Sequence, residues 1–213
     1  MAHPYWPLFD LSIRTPRVEL RIPDDDLIMR SVALSLKGIH DPATMPFGMP
    51  WTDAKSPEFE RGSLQHHWSN RANHKVDDWH LNFTVLVDGE VVGQQGAVAK
   101  NFGKLRQAET GSWLGLENQG KGIGKEMRGA ILHFLFAGLD AQRCLSGAWH
   151  DNPSSMGVSK TFGYLENGEE IRMRREEPDR LIHLLLTREQ WEPQRRDDIE
   201  IVGLDGCRDM LIG

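Results

Sequence analysis

Residues Gln119-Gly120-Lys121-Gly122-Ile123-Gly124-Lys125 decide how this chain folds. An apolar strand-like run at residues 112–116 enters them and an amphipathic helical pattern leaves them. Glycines let a backbone turn with its N–H groups facing inward, and the first turn of the next helix adds unpaired donors and a positive dipole end. A strand, loop and helix in this order make an anion cradle, and a pyrophosphate suits its size.

Spacing separates the phosphate loops that share this composition. In a Walker A loop Ser or Thr would follow Gly124-Lys125, but Glu126 stands there, and Gln119 occupies the place of the first glycine. In a dinucleotide fingerprint counted from Gly120 and Gly122, the third glycine would fall on Lys125. What remains is Gln-x-x-Gly-x-Gly, which a ligand-free glycine turn would also satisfy.

A second motif follows about thirty residues on. An apolar strand candidate at residues 144–149 runs into Asn152-Pro153-Ser154-Ser155, and the next helix ends at Phe162-Gly163-Tyr164. Asn152 suits the cap, Pro153 the first helical position, and Gly163 the left-handed stop. Alone, this is an ordinary capped helix. In this order and context, the two motifs resemble the cofactor elements of the GNAT family of N-acyltransferases: the pyrophosphate loop for acyl-CoA, then N-x-x-S followed by G-[FY].

Composition sets the outer limits. At 213 residues, with no linker-like segment, the chain reads as a single domain over 1–213, its core at about 17–191 and a tail at 192–213. No apolar run is long enough to cross a bilayer, and Met1-Ala2-His3-Pro4-Tyr5-Trp6-Pro7 lacks a secretory pattern, so the expectation is a cytoplasmic protein without a membrane partner. A net charge of −6 argues against a broad nucleic-acid surface and favours cationic acceptors such as amines. Cys144 and Cys207 are too few for a disulfide scaffold and read as free thiols.

Along the chain, residues 17–22 alternate as a half-buried strand, and Asp24 caps a helix that ends near Gly38. Residues 40–52 carry too many prolines for regular structure and too much apolar surface for a free loop. Ser56-Pro57-Glu58 opens a helix reaching about Asn73; its His66 and His67, with His74 beyond, lack acidic partners and zinc-helix spacing, so they read as an exposed polar face and no metal is assigned. Residues 81–87 and 91–99 form a hairpin around Asp88-Gly89. Ile123, Met127, Ala130, Ile131, Phe134 and Leu135 recur at helical spacing as a core face. Further strands are expected near 171–175 and 181–187, then a Thr187/Gln190 capping box.

These elements resemble the GNAT fold over most of residues 17–191: an α/β (α+β) fold whose mixed, mostly antiparallel sheet of about seven strands is flanked by helices, with splayed central strands. The resemblance points to the branch of ribosomal-protein N-terminal acetyltransferases. Residues Trp6-Pro7-Leu8-Phe9-Asp10-Leu11, His40-Asp41-Pro42, Met45-Pro46-Phe47, Pro50-Trp51 and Ser112-Trp113-Leu114-Gly115-Leu116 resemble an actinobacterial subgroup linked to succinyl-CoA.

The resemblance implies a direct transfer of an acetyl or succinyl group from acyl-CoA to a primary amine, on a small molecule or a protein, without a metal. Trp113, Leu114 and Leu116 would contact the pantetheine arm, and Gln119, Gly120, Lys121, Gly122, Ile123, Gly124 and Lys125 the pyrophosphate. Asn152 would bond to the arm and Ser155 would protonate the departing thiolate. Glu109 and His150 are candidate general bases, with Glu166 and Asp78 in reserve. No G-x-S-x-G elbow is present. The rival reading is a GNAT-fold module that binds acyl-CoA without turnover. A homodimer is the default assembly.

Overall fold

The computed structural model describes residues 3–212. Strands β1 (Ser12–Arg14), β2 (Glu19–Arg21), β3 (Asp78–Val87), β4 (Glu90–Lys100), β5 (Gln107–Leu114), β6 (Arg143–Trp149), β7 (Leu165–Arg174), β8 (Glu177–Thr187) and β9 (Glu200–Val202) form one sheet, ordered β7-β8-β6-β5-β4-β3-β2-β1-β9. The helices are α1 (Asp25–Leu36), α2 (Glu58–Ala72), α3 (Phe102–Leu105), α4 (Ile123–His133), α5 (Pro153–Thr161), α6 (Arg188–Trp191) and α7 (Asp209–Ile212).

Local chemistry explains most boundaries. Asp24 accepts the Leu27 N–H at the head of α1, and Gly38 follows at φ +112°. Asp88 and Gly89 both take positive φ, the geometry of the two-residue turn joining β3 to β4. The capping box of Thr187 and Gln190 is formed in full, and Gly163 takes φ +76° past α5.

The sheet has nine strands, not seven. The two extra strands, β1 and β9, are three residues long, too short to display a period, and they pair with each other at the rim from Ser12↔Val202 to Arg14↔Glu200. What holds them is burial: Leu11 and Ile13 are fully enclosed, as are Cys207 and Leu211, and Trp79 Nε1 donates to the Leu211 carbonyl at 3.0 Å. Ile199, Leu204, Cys207 and Leu211 therefore join the main core, and the segment from Ile199 onward covers and extends the sheet edge.

Helix α4 carries the centre of that core. Its apolar positions are buried as the spacing predicts, Phe134 opens a π-helical turn (Phe134–Gly138), and its ring meets Phe83 at 5.8 Å. Deleting a ring of this kind costs about 3–5 kcal/mol.

One irregularity positions the site. All sheet pairings are antiparallel except β5 with β6, which are parallel and meet at three rungs only, Gln107↔Arg143, Ala108↔Cys144 and Glu109↔Leu145. Beyond Glu109 the two strands part. The resulting V opens toward the C-terminal ends of both, where the glycine loop and the head of α5 lie.

Candidate active site

The glycine loop is held open by its own side chains and by an arginine from elsewhere. Gly120 and Gly122 take φ +72° and +80°, conformations that L side chains resist. Gly122 sits at the N-cap of α4, where no side chain caps the helix. Among the described residues, the main-chain N–H groups of residues 120–124 donate to no protein acceptor. Unpaired donors at the positive end of an eleven-residue helix have the geometry that suits an anion. Arg17, from the turn between β1 and β2, donates through Nη2 to the Lys121 carbonyl at 3.0 Å and brings another positive charge to the loop.

The structure narrows the expected donor set. Gln119 uses its amide Nε2 on the carbonyls of Ile39 (2.7 Å) and Leu114 (2.9 Å), and its N–H on Leu116. It staples the loop to the segment that follows α1 and to the end of β5. The Lys125 N–H turns back to Gly122 O, which leaves its side chain facing solvent. Close packing begins at Gly124, where a Cβ would lie 3.8 Å from both Leu114 and Val158, so β5, α4 and α5 converge beside the loop.

At the opposite wall of the V, Asn152 Oδ1 accepts the Ser155 N–H at 3.1 Å and caps α5. The Ser155 hydroxyl, half-buried in the first turn of α5, makes no hydrogen bond among the described residues. Deeper in the wedge, Ser146 Oγ donates to Thr110 O, and Arg128 reaches Ser146 Oγ at 3.4 Å. Arg128 is 3% exposed, and its Nε lacks a partner among the described residues.

Along β4, Gln95, Ala97 and Ala99 face the core while Gln94, Gly96 and Val98 line a cavity of about 600 Å³ on the other face. Its far wall is built from α1, α2 and the proline-rich strap at residues 40–54, which contributes Phe47, Trp51 and the largely exposed Met49. The strap is pinned from outside. Arg174 Nε donates to Met45 O (2.7 Å), Trp149 Nε1 to Phe47 O (3.1 Å), and Arg175 clamps the Asp53 carboxylate at 2.7 and 2.9 Å. That clamp holds the Asp53 carboxyl below the usual carboxylate range.

Of the α2 histidines, His66 is exposed as expected, whereas the buried His67 contradicts the exposed-face reading, and His74 beyond the helix is half-buried. His66 and His67 line the cavity together with His80 from β3, and the His66 ring lies 5.8 Å from His67 and 5.5 Å from His80. Gln94 donates to His67 Nε2 at 2.9 Å and accepts from Trp113 Nε1 at 3.2 Å, fixing both rings. Burial, followed by repulsion from His66, Arg71 and His80, pushes His67 down to about 4; burial and His66 push His80 to about 4. These imidazoles are neutral at pH 7. They were missed because α2 faces a cavity, so its inward residues are polar and carry no apolar period.

Glu109 lines the cavity at the last rung before β5 and β6 part. Trp113 lines it too, its ring 6.1 Å from Trp51. His150 does not line it: its Nδ1 lies 3.2 Å from Asp179, inside an ion cluster where Arg174 also pairs with Asp151 and Asp179 at 2.8 Å each. Of the reserve bases, Asp78 pairs with Lys100 and Glu166 is exposed on β7. Leu116 is half exposed beside the loop, its N–H on the Gly38 carbonyl.

Fold and site together define an acyl-CoA-type acetyltransferase scaffold, and the family model for the Acetyltransferase (GNAT) domain matches residues 17–165. The chain belongs to that family. Among solved structures, it resembles Mycobacterium smegmatis RimJ in complex with CoA-disulfide at 22% identity and TM-score 0.69, covering 88% of this chain and 91% of that one. The ribosomal L7/L12 α-N-protein acetyltransferase RimL in complex with coenzyme A aligns at 17% identity and TM-score 0.66, over 81% of this chain and 95% of its own. The spermidine/spermine N-acetyltransferase SpeG from Vibrio cholerae aligns at 14% and 0.63, over 84% and 99%. At these identities the likeness is one of fold. No helix among the described residues is long and apolar enough to cross a membrane.

Proposed function

We propose that this chain is an acyl-CoA-dependent N-acyltransferase that moves an acetyl or succinyl group directly onto a primary amine. The observation that carries the reading is the run of five unengaged N–H groups at residues 120–124, at the head of α4 and beside Arg17. Those groups would hold the diphosphate of coenzyme A. The unpaired edge of β5 beyond Glu109 offers strand hydrogen-bonding groups to the amides of the pantetheine arm. Bound acyl-CoA supplies an activated thioester.

Each remaining task falls to a residue of the chain. The cavity beside β5 receives the amine and orients it toward the V. Glu109, at the rung where the strands part, accepts the proton that the amine must lose. Ser155, with a hydroxyl free of protein partners, gives a proton to the departing sulfur. Asn152 already spends its oxygen on the cap, so its amide nitrogen is the group left for the arm.

The test is a thiol-release assay with acetyl-CoA and succinyl-CoA against a panel of amines, with products weighed by mass spectrometry. Background from the protein is low because both cysteines are buried; burial raises the Cys207 thiol to about 11 and Cys144 further still. Acylated amine with equimolar free CoA supports the proposal. Tight CoA binding without release on any amine would turn the reading to a binding module.

A further inference from the structure

Resting on the acyl-transfer reading above, we propose that the acceptor is a small monoamine with an aromatic or branched apolar body and no carboxylate. The cavity carries an aromatic wall: Trp51 stacks on Phe59 at 5.7 Å and meets Phe47 at 5.2 Å and Trp113 at 6.1 Å. Such a wall buries an apolar body and, through its ring faces, favours a cation.

Charge points the same way. The charged side chains lining the cavity are Glu58 and Glu109, and no Lys or Arg lines it among the described residues. An ammonium therefore finds counter-charge there, while a carboxylate would be taken from water without a partner. The three histidines add little to this balance, because burial lowers the pKa of His66 and brings His67 and His80 down to about 4.

Size and a fixed strap select against a polypeptide. A volume of about 600 Å³ falls in the range of small-molecule sites. The strap across it is fixed by Arg174, Arg175 and Trp149, each bonded to strap backbone. Glu58 and Glu109 are the only carboxylates lining the cavity among the described residues, so a polyamine with three or more ammonium groups would leave at least one without counter-charge.

The test is calorimetric titration of the full chain, with and without saturating CoA, using phenethylamine, phenylalanine, spermidine and a tripeptide with a free N-terminus. Phenethylamine should bind at least about 10-fold tighter than phenylalanine, which differs by one carboxylate, and tighter than the other two. Gly62→Lys places a cation in the cavity at a helix position where a new Cβ meets nothing within 4 Å, and it should erase most of the phenethylamine preference. Trp51→Ala should weaken phenethylamine about 10-fold and leave CoA binding unchanged. Equal binding of phenethylamine and phenylalanine, or a preference for the peptide or spermidine, would overturn the proposal. Because the amines are also titrated without CoA, a chain that fails to bind CoA would sink the acyl-transfer reading and still report on the cavity.

Discussion

His67 should make the fold sensitive to mild acid. The residue is 9% exposed, accepts a hydrogen bond from Gln94, and binds a proton only near pH 4 when folded, against an ordinary 6.5. Above pH 6.5 neither state holds the proton and the stability contribution is complete. As pH falls from 6.5 toward 4, the unfolded chain takes up a proton that the folded chain refuses, and stability drops by about 1.4 kcal/mol per pH unit. Across the full gap of roughly 2.5 units this amounts to about 3 kcal/mol, and by about pH 5 it reaches roughly 2 kcal/mol. His80, on the same cavity but partly exposed, adds a smaller loss in the same window. Urea denaturation of wild type and His67→Gln at about pH 7.5 and about pH 5 isolates the effect, since glutamine can still accept from Gln94 but cannot titrate. Wild type should lose about 2 kcal/mol more than the variant over that interval. Equal losses would refute the claim that a buried neutral imidazole forms the cavity wall.

Other outcomes follow from the loop and the V. Arg17→Ala should weaken CoA about 5–10-fold, with the difference shrinking at high salt, because one charge-assisted contact at an exposed loop is removed; parallel titrations at two ionic strengths read this. Ser155→Ala should lower kcat by about 100-fold while the CoA Kd and the melting temperature stay put, since only its N–H, not its hydroxyl, serves the α5 cap. Gly122→Val should cost about 1–2 kcal/mol of stability at φ +80° and crowd the donors of residues 120–124; thermal melts with and without CoA separate the two effects.

The parts of this fold legible in sequence are those where local chemistry acts alone. Asp24, Thr187, Asp88-Gly89 and Gly163 each solve a backbone problem within a few residues, and each adopts the expected geometry. The glycine loop is legible as a turn between a strand and a helix, with Gly120 and Gly122 at positive φ and α4 leaving at Ile123. Strands β1 and β9 were not, since three residues show no alternation and their reason to exist lies across the sheet, in Leu11, Ile13 and Leu211. Arg17 reads in sequence as the first residue of a half-buried strand, and only the turn between β1 and β2 brings it to Lys121, 104 positions away. The cavity stayed hidden for a related reason. Its polar residues, His66, His67, Asn82 and Gln94, leave no hydrophobic pattern, and α1, α2, the strap and strands β3 to β5 must assemble before the space exists.

The most direct measurement is calorimetric titration of the intact chain with coenzyme A and, in parallel, with pantetheine, which lacks the diphosphate and nucleotide. If the N–H groups of residues 120–124 hold the diphosphate, CoA binds with one-to-one stoichiometry and at least about 100-fold more tightly than pantetheine, a difference of about 2.7 kcal/mol. No heat with CoA, or equal affinity for the two ligands, would contradict it.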